Sequence, residues 1–114
     1  MTDSDLYTVI LPRIAKELHE WGYLEPVGWH TFHGDFAKLD WLLTGNGMLE
    51  GIEKMRERGY RTHLCVDLKM RWLAECFVGE ATGPFRDCTA PTLPEAFARA
   101  AFAALTTERD EGKV

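Results

Sequence analysis

The segment Thr92-Leu-Pro-Glu-Ala-Phe-Ala-Arg-Ala-Ala-Phe-Ala-Ala-Leu105 constrains the fold more than any other part of this 114-residue chain. Thr92 and Glu95 stand at the spacing of a capping box, in which a hydroxyl and a carboxylate satisfy first-turn N–H groups. Pro94 falls in the first turn, where its missing N–H is tolerated. Phe97, Ala101 and Leu105 share a face with Ala98 and Phe102 alongside, and such small residues let a helix sit close to a sheet. The pattern predicts a helix over residues 93–106 that closes the fold as its outer layer. A charged tail over 107–114 is expected to fray.

Two strands precede it, over residues 60–68 and 70–78, in a hairpin. Pairing Leu68 with Trp72 places Leu64 opposite Cys76 and Val66 opposite Ala74, which collects Leu64, Val66, Leu68, Trp72, Ala74, Cys76 and Val78 on one face. A slip of one residue would mix the faces, so the first register is preferred. The turn is then Lys69, Met70 and Arg71. Residues 79–87 are expected to form a polar turn. Two strands are rarely a stable sheet, so a third is required, from Gly28–Leu43 or from a partner chain.

Further toward the N-terminus, Met48, Leu49, Ile52 and Met55 form the apolar stripe of a helix over 47–58, capped by Thr44 or Asn46 and stopped by Gly59. Leu6, Ile10, Ile14, Leu18 and Trp21 make a second stripe, a helix over 4–21 capped by Ser4 and ended by Gly22 in a left-handed conformation. Pro12 interrupts it. The helix either bends there or begins near Pro12 after a looser first turn. Residues 24–45 read as irregular. The whole is one α+β domain, with helices on both faces of a small antiparallel sheet (an α/β/α sandwich).

Composition narrows the function. A net charge of −5 disfavours nucleic acid and anionic membranes as partners. No apolar run reaches the roughly 18 residues of a membrane span. Three cysteines, Cys65, Cys76 and Cys88, without close spacing suit reduced thiols in a cytoplasmic setting. Cys76 is expected on the apolar face and Cys65 on the other, and Cys88 is the most exposed candidate.

Several groups carry side chains capable of chemistry or binding. His30, His33 and Asp35 form H-x-x-H-x-D, a weak metal candidate in a glycine-broken stretch without a second ligand cluster, so no metal and no cofactor are assigned. Gly45-Asn-Gly47 lacks a phosphate-binding fingerprint and reads as a helix entry. Trp29, Phe32 and Trp41, in the irregular region, suit an interface or a ligand pocket. Arg58, Arg61 and Arg71, between the end of the helix over 47–58 and the hairpin turn, form a basic rim expected to share in the contacts.

Met48-Leu-Glu-Gly-Ile-Glu-Lys-Met-Arg-Glu-Arg-Gly59, the strand Trp72-Leu-Ala-Glu-Cys-Phe77, and Thr89-Ala-Pro91 before the alanine-rich helix together resemble the phage ABA sandwich domain family, small proteins of tailed phages and prophages. The opening helix ending in Glu20-Trp-Gly22 is similar to that family's first helix. Residues 29–45 have no counterpart in it. The resemblance implies helix–sheet–helix layering and a phage origin, and carries no catalytic residue over. The expectation is a non-enzymatic accessory protein that binds a host or phage protein, with modulation of host defence as one such role and a homodimer as one arrangement. The alternative is a small-molecule or nucleotide-binding module.

Overall fold

The computed structural model describes residues 5–66, 69, 71–78 and 88–111. Helix α1, Leu11–Glu17, is entered through a π-helical segment, Leu6–Ile10. Pro12 explains the change of winding. It has no N–H to return to a carbonyl four residues back, so an α-helical ladder cannot run through it. The Leu11 N–H reaches the Leu6 carbonyl instead, and Pro12 takes its tolerated place in the first α turn. Of the two expected behaviours of Pro12, the restart is the one observed. The expected Ser4 cap lies outside the described residues.

α1 ends sooner than expected. Glu20 adopts a φ of 59°, and the Trp21 N–H returns to the Ala15 carbonyl at 2.8 Å. The left-handed position is therefore Glu20 and not Gly22, because the chain must turn before Trp21 can enter the core. Arg58 donates from Nη1 to the Glu17 carbonyl at 2.9 Å. That sets a cation at the negative end of α1.

Residues 24–45 are more regular than the sequence suggests. Strands β1, Gly22–Leu24, and β2, Gly28–His30, form a small antiparallel hairpin, and a 3-10 helix follows at Leu39–Leu43. Helix α2 spans Gly45–Glu57, and Thr44 is its cap: Oγ1 accepts from the Gly47 N–H at 3.1 Å and donates to the Trp41 carbonyl at 2.6 Å. Gly59, at φ 93°, ends it.

β3, Tyr60–Val66, β4, Trp72–Val78, and β5, Cys88–Ala90, make a three-stranded antiparallel sheet in that order. Val66 pairs with Trp72, Leu64 with Ala74 and Thr62 with Cys76. The register is offset by two residues from the expected one, and β3 stops at Val66; Leu68 lies outside the described residues. An even offset leaves every side chain on its expected face. Ala74 and Cys76 are buried as anticipated, and Cys65 sits half-buried on the other face. The third strand is β5, paired to β4 from Trp72↔Ala90 to Ala74↔Cys88. Gly28–Leu43 does not supply it. A three-residue strand is too short to show alternation, so residues 88–90 carried no strand signal. The polar turn expected at Gly79–Asp87 and the exposure of the Cys88 thiol fall outside what is described.

Helix α3, Leu93–Glu111, continues through most of the tail that was expected to fray. Thr92 Oγ1 accepts from the Glu95 N–H at 3.4 Å, while the Glu95 carboxylate turns to Arg99 Nε at 3.1 Å. Only half of the capping box closes. Ala96, Phe97, Ala98, Ala100, Ala101, Phe102, Ala104 and Leu105 are all buried. A helix apolar around most of its circumference belongs inside a fold. α3 accordingly packs on β4 and β5 on one side and on the N-terminal helices, the 3-10 helix and α2 on the others. It is the middle layer, not the closing one. Arg13 ties α1 to its end, donating to Thr106 Oγ1 at 3.0 Å and lying 5.5 Å from the Phe102 ring.

The α+β class is observed, with small antiparallel sheets. The described helices gather on the sheet face that carries Ala74 and Cys76. On the opposite face Arg61 and His63 are exposed and Cys65, Leu73, Glu75 and Phe77 are half-buried. A second helical layer on that face is not among the described elements. The N-terminal helices stack on α3 instead, because its burial on every side needs them there. No described helix is long and apolar enough to cross a membrane.

Candidate functional site

Three separated segments meet around a cleft of 710 Å³. The end of α1 brings His19, Glu20 and Trp21. The stretch after β2 brings Phe32, His33, Asp35, Phe36, Lys38 and Trp41, and α2 brings Glu50 and Lys54.

The wall after β2 is fixed by its backbone. The Thr31 N–H meets the Asp35 carbonyl at 2.8 Å, the Asp35 N–H meets Thr31 Oγ1 at 3.2 Å, and the Ala37 N–H meets the Trp29 carbonyl at 3.1 Å. A bridge between His30 and Phe36 folds this stretch back along β2. Gly22 has a packing reason at the base of the hairpin: a Cβ there would lie 2.8 Å from His30 Nε2.

The floor is aromatic. The Trp21 and Trp41 rings lie 6.0 Å apart, and His19 sits 5.7 Å from Trp21 and 6.2 Å from Trp41. His19 is buried, with Nδ1 3.2 Å from Glu50 Oε1. Burial pushes its pKa below the ordinary value and outweighs the pull of the Glu50 carboxylate in the other direction, with Lys54 adding to the lowering. The imidazole is thus neutral at pH 7. A carboxylate can only accept, so the proton belongs on Nδ1.

The rim is apolar and open to solvent. Phe32 is 72% exposed and Phe36 81% exposed. A smaller recess of 200 Å³ adjoins the cleft, and Glu20 and Lys54 line both.

The structure distributes the sequence-derived candidates unevenly. Phe32, His33, Asp35 and Trp41 line the cleft. Trp29 does not; its ring packs edge-on against Tyr23 at 5.3 Å and carries Lys16 Nζ at 5.8 Å. His30 packs over Gly22 and does not line it. H-x-x-H-x-D is therefore not gathered into one ligand set, and among the described residues no three His, Cys, Asp or Glu side chains group as metal ligands.

The basic rim is dispersed. Arg58 caps α1 beside the smaller recess, Arg61 is exposed on the outer sheet face, and Arg71 is exposed just before β4. In the Gly45-Asn-Gly47 entry, the Gly47 N–H is already held by Thr44.

Sequence reasoning missed His19, Glu20, Phe36, Glu50 and Lys54, and read Trp21 as part of the first helix's apolar stripe, which its burial bears out, without a role at the cleft. One signal was available: Phe32 and Phe36 are two large apolar residues within a polar, glycine-bearing loop. His19 and Glu50 carried none, since each looks like an ordinary helix-surface residue until the two helices meet. Comparison with known protein families, with curated proteins and with solved structures finds no match to this chain.

Proposed function

We propose that the protein is a non-enzymatic binding protein that captures a protein partner through the aromatic cleft. The observation that carries this is the pair of exposed phenylalanines, Phe32 and Phe36, at the mouth of a cleft floored by Trp21 and Trp41. A single exposed apolar residue is ordinary. Two aromatic side chains on a hydrogen-bonded loop, beside a concave aromatic surface, match the anchors that dominate protein interfaces. The resemblance to the phage ABA sandwich domain family supports a phage or prophage accessory role in a host cytoplasm, and modulation of host defence is one use of such capture. The dispersed arginines, Arg61 and Arg71, take no part in this reading.

The volume of the cleft favours a second reading. At 710 Å³ it lies inside the range of about 300–1,000 Å³ typical of small-molecule sites. A bound metabolite or nucleotide would then be the ligand.

The test compares the parent chain with a Phe32→Ser/Phe36→Ser variant that keeps the fold by circular dichroism. Immobilised on a resin and exposed to host lysate, the parent should retain a partner that the variant loses by tenfold or more. Equal retention by both would sink the reading. Native mass spectrometry separates the alternatives: a retained small mass supports the second reading, and a doubled mass lost in the variant identifies a second copy as the partner.

A further inference from the structure

We infer that the group seated in the cleft is an organic cation, an ammonium or guanidinium carried by a partner's side chain, with Glu20 as its counter-charge. This rests on the binding role proposed for the cleft and adds the chemistry of what it binds.

Three observations point the same way. Trp21, Phe32, Phe36 and Trp41 supply four aromatic rings around one cleft. Aromatic faces carry the negative end of a quadrupole and attract cations, most strongly at tryptophan and where water is displaced. The same chemistry occurs outside the cleft, where Lys16 Nζ sits over the Trp29 ring.

The lining also carries net negative charge. Glu20, Asp35 and Glu50 give three carboxylates against the two ammonium groups of Lys38 and Lys54, a net of −1 with histidines neutral. That sign agrees with the chain's −5. Lys54 stands one helical turn beyond Glu50, so the two largely offset each other. Glu50 is also occupied by His19. Among the described residues, no ion pair or side-chain hydrogen bond engages the carboxylates of Glu20 or Asp35.

Glu20 then stands apart by its backbone. Its φ of 59° is a conformation that glycine adopts freely and that a residue with a Cβ resists. Ending α1 would be easier with glycine there. A glutamate kept in a strained conformation, with a free carboxylate at the junction of both recesses, is the kind of outlier that marks a binding site.

The experiment titrates the full chain with choline, with its neutral isostere 3,3-dimethylbutanol, and with inorganic phosphate, following tryptophan emission and calorimetry. Choline should bind at least tenfold more tightly than the neutral isostere, and phosphate should not compete. Glu20→Gln should weaken choline about tenfold. Trp41→Ala should weaken it by about 3- to 30-fold, the range expected for one cation–aromatic contact. Lys54→Gln should tighten choline binding, since it removes a competing cation from the lining.

Equal affinity for choline and its isostere, no detectable choline binding, competition by phosphate, or an unaffected Glu20→Gln would each overturn the proposal. Partner capture that still depends on Phe32 and Phe36 would then leave the cleft reading standing with a different ligand group. Loss of both dependences would remove both.

Discussion

Gly45 and Gly47 stand two residues apart at the start of α2, and replacing each by alanine should change stability in opposite directions. A Cβ on Gly47 would lie 2.2 Å from the Trp41 carbonyl oxygen and 2.9 Å from the Leu42 Cα. Both obstacles are backbone, so a shift of more than about 1 Å would be needed to reach ordinary contact. That carbonyl is also pinned, accepting from Thr44 Oγ1 at 2.6 Å and from the Thr44 N–H at 3.0 Å. Overpacking of this kind costs about 1–3 kcal/mol, and forced backbone movement places it at the upper end. Alanine's better helix propensity returns about 1 kcal/mol. Gly47→Ala should therefore destabilise by about 1–2 kcal/mol.

Gly45 has nothing within 4 Å of its would-be Cβ and no positive φ. Gly45→Ala should stabilise by about 0.4–1 kcal/mol, mainly by restricting the unfolded chain. The two variants should differ by about 2 kcal/mol, near 8 °C in Tm at about 4 °C per kcal/mol. Urea titrations followed by tryptophan fluorescence would show this as opposed midpoint shifts at constant m. The emission of folded Gly47→Ala should also change, since the displaced carbonyl belongs to a cleft tryptophan. Gly47→Ala within about 0.5 kcal/mol of the parent, or both variants moving the same way, would refute the packing argument.

Two further outcomes follow from the same region. His19 is held neutral in the fold, with a pKa below the ordinary value near 6.5 because it is buried, and Glu50 and Lys54 are the charged groups acting on it. The unfolded chain then binds the extra proton, so the stability due to His19 is complete above about pH 6.5. It is lost as pH falls from there to the folded pKa, and is constant below. Urea midpoints at pH 7.5 and 5.5 should fall more for the parent than for His19→Gln; equal slopes would contradict this. Glu20→Gly should raise stability by about 0.5–1 kcal/mol, since relief of the left-handed strain exceeds the entropy glycine adds to the unfolded state. A thermal melt at or below the parent's would show that the φ of 59° carries no strain.

The cleft illustrates what a linear pattern can and cannot reveal. Phe32, Trp41, His33 and Asp35 were legible because aromatic and ionisable residues in a glycine-broken loop have no evident core to enter. His19, Glu50 and Lys54 were not, because periodicity assigns a residue to a face of its own helix and is silent about what lies opposite. Arg58 was misread for the same reason. Its cluster of positive charge resembled a rim, and its partner, the Glu17 carbonyl, is distant in sequence.

The sequence by itself determined the α+β class, a polar cap for α2 at Thr44 or Asn46, its stop at Gly59, the side of the sheet on which each described residue of β3 and β4 lies, and the disturbance at Pro12. Each is a local matter: a hydroxyl or a glycine at a helix end, a missing N–H, or a parity that survives any even slip of register. Only the tertiary structure decided that β5 is the third strand, that the hairpin pairs two residues away from the pattern's optimum, and that α3 lies in the middle. It alone decided that Glu20 ends α1 and that three segments enclose one cleft. Those outcomes depend on which apolar surfaces fit together once the chain is compact, and the energy of that fit belongs to pairs of residues that the sequence keeps far apart.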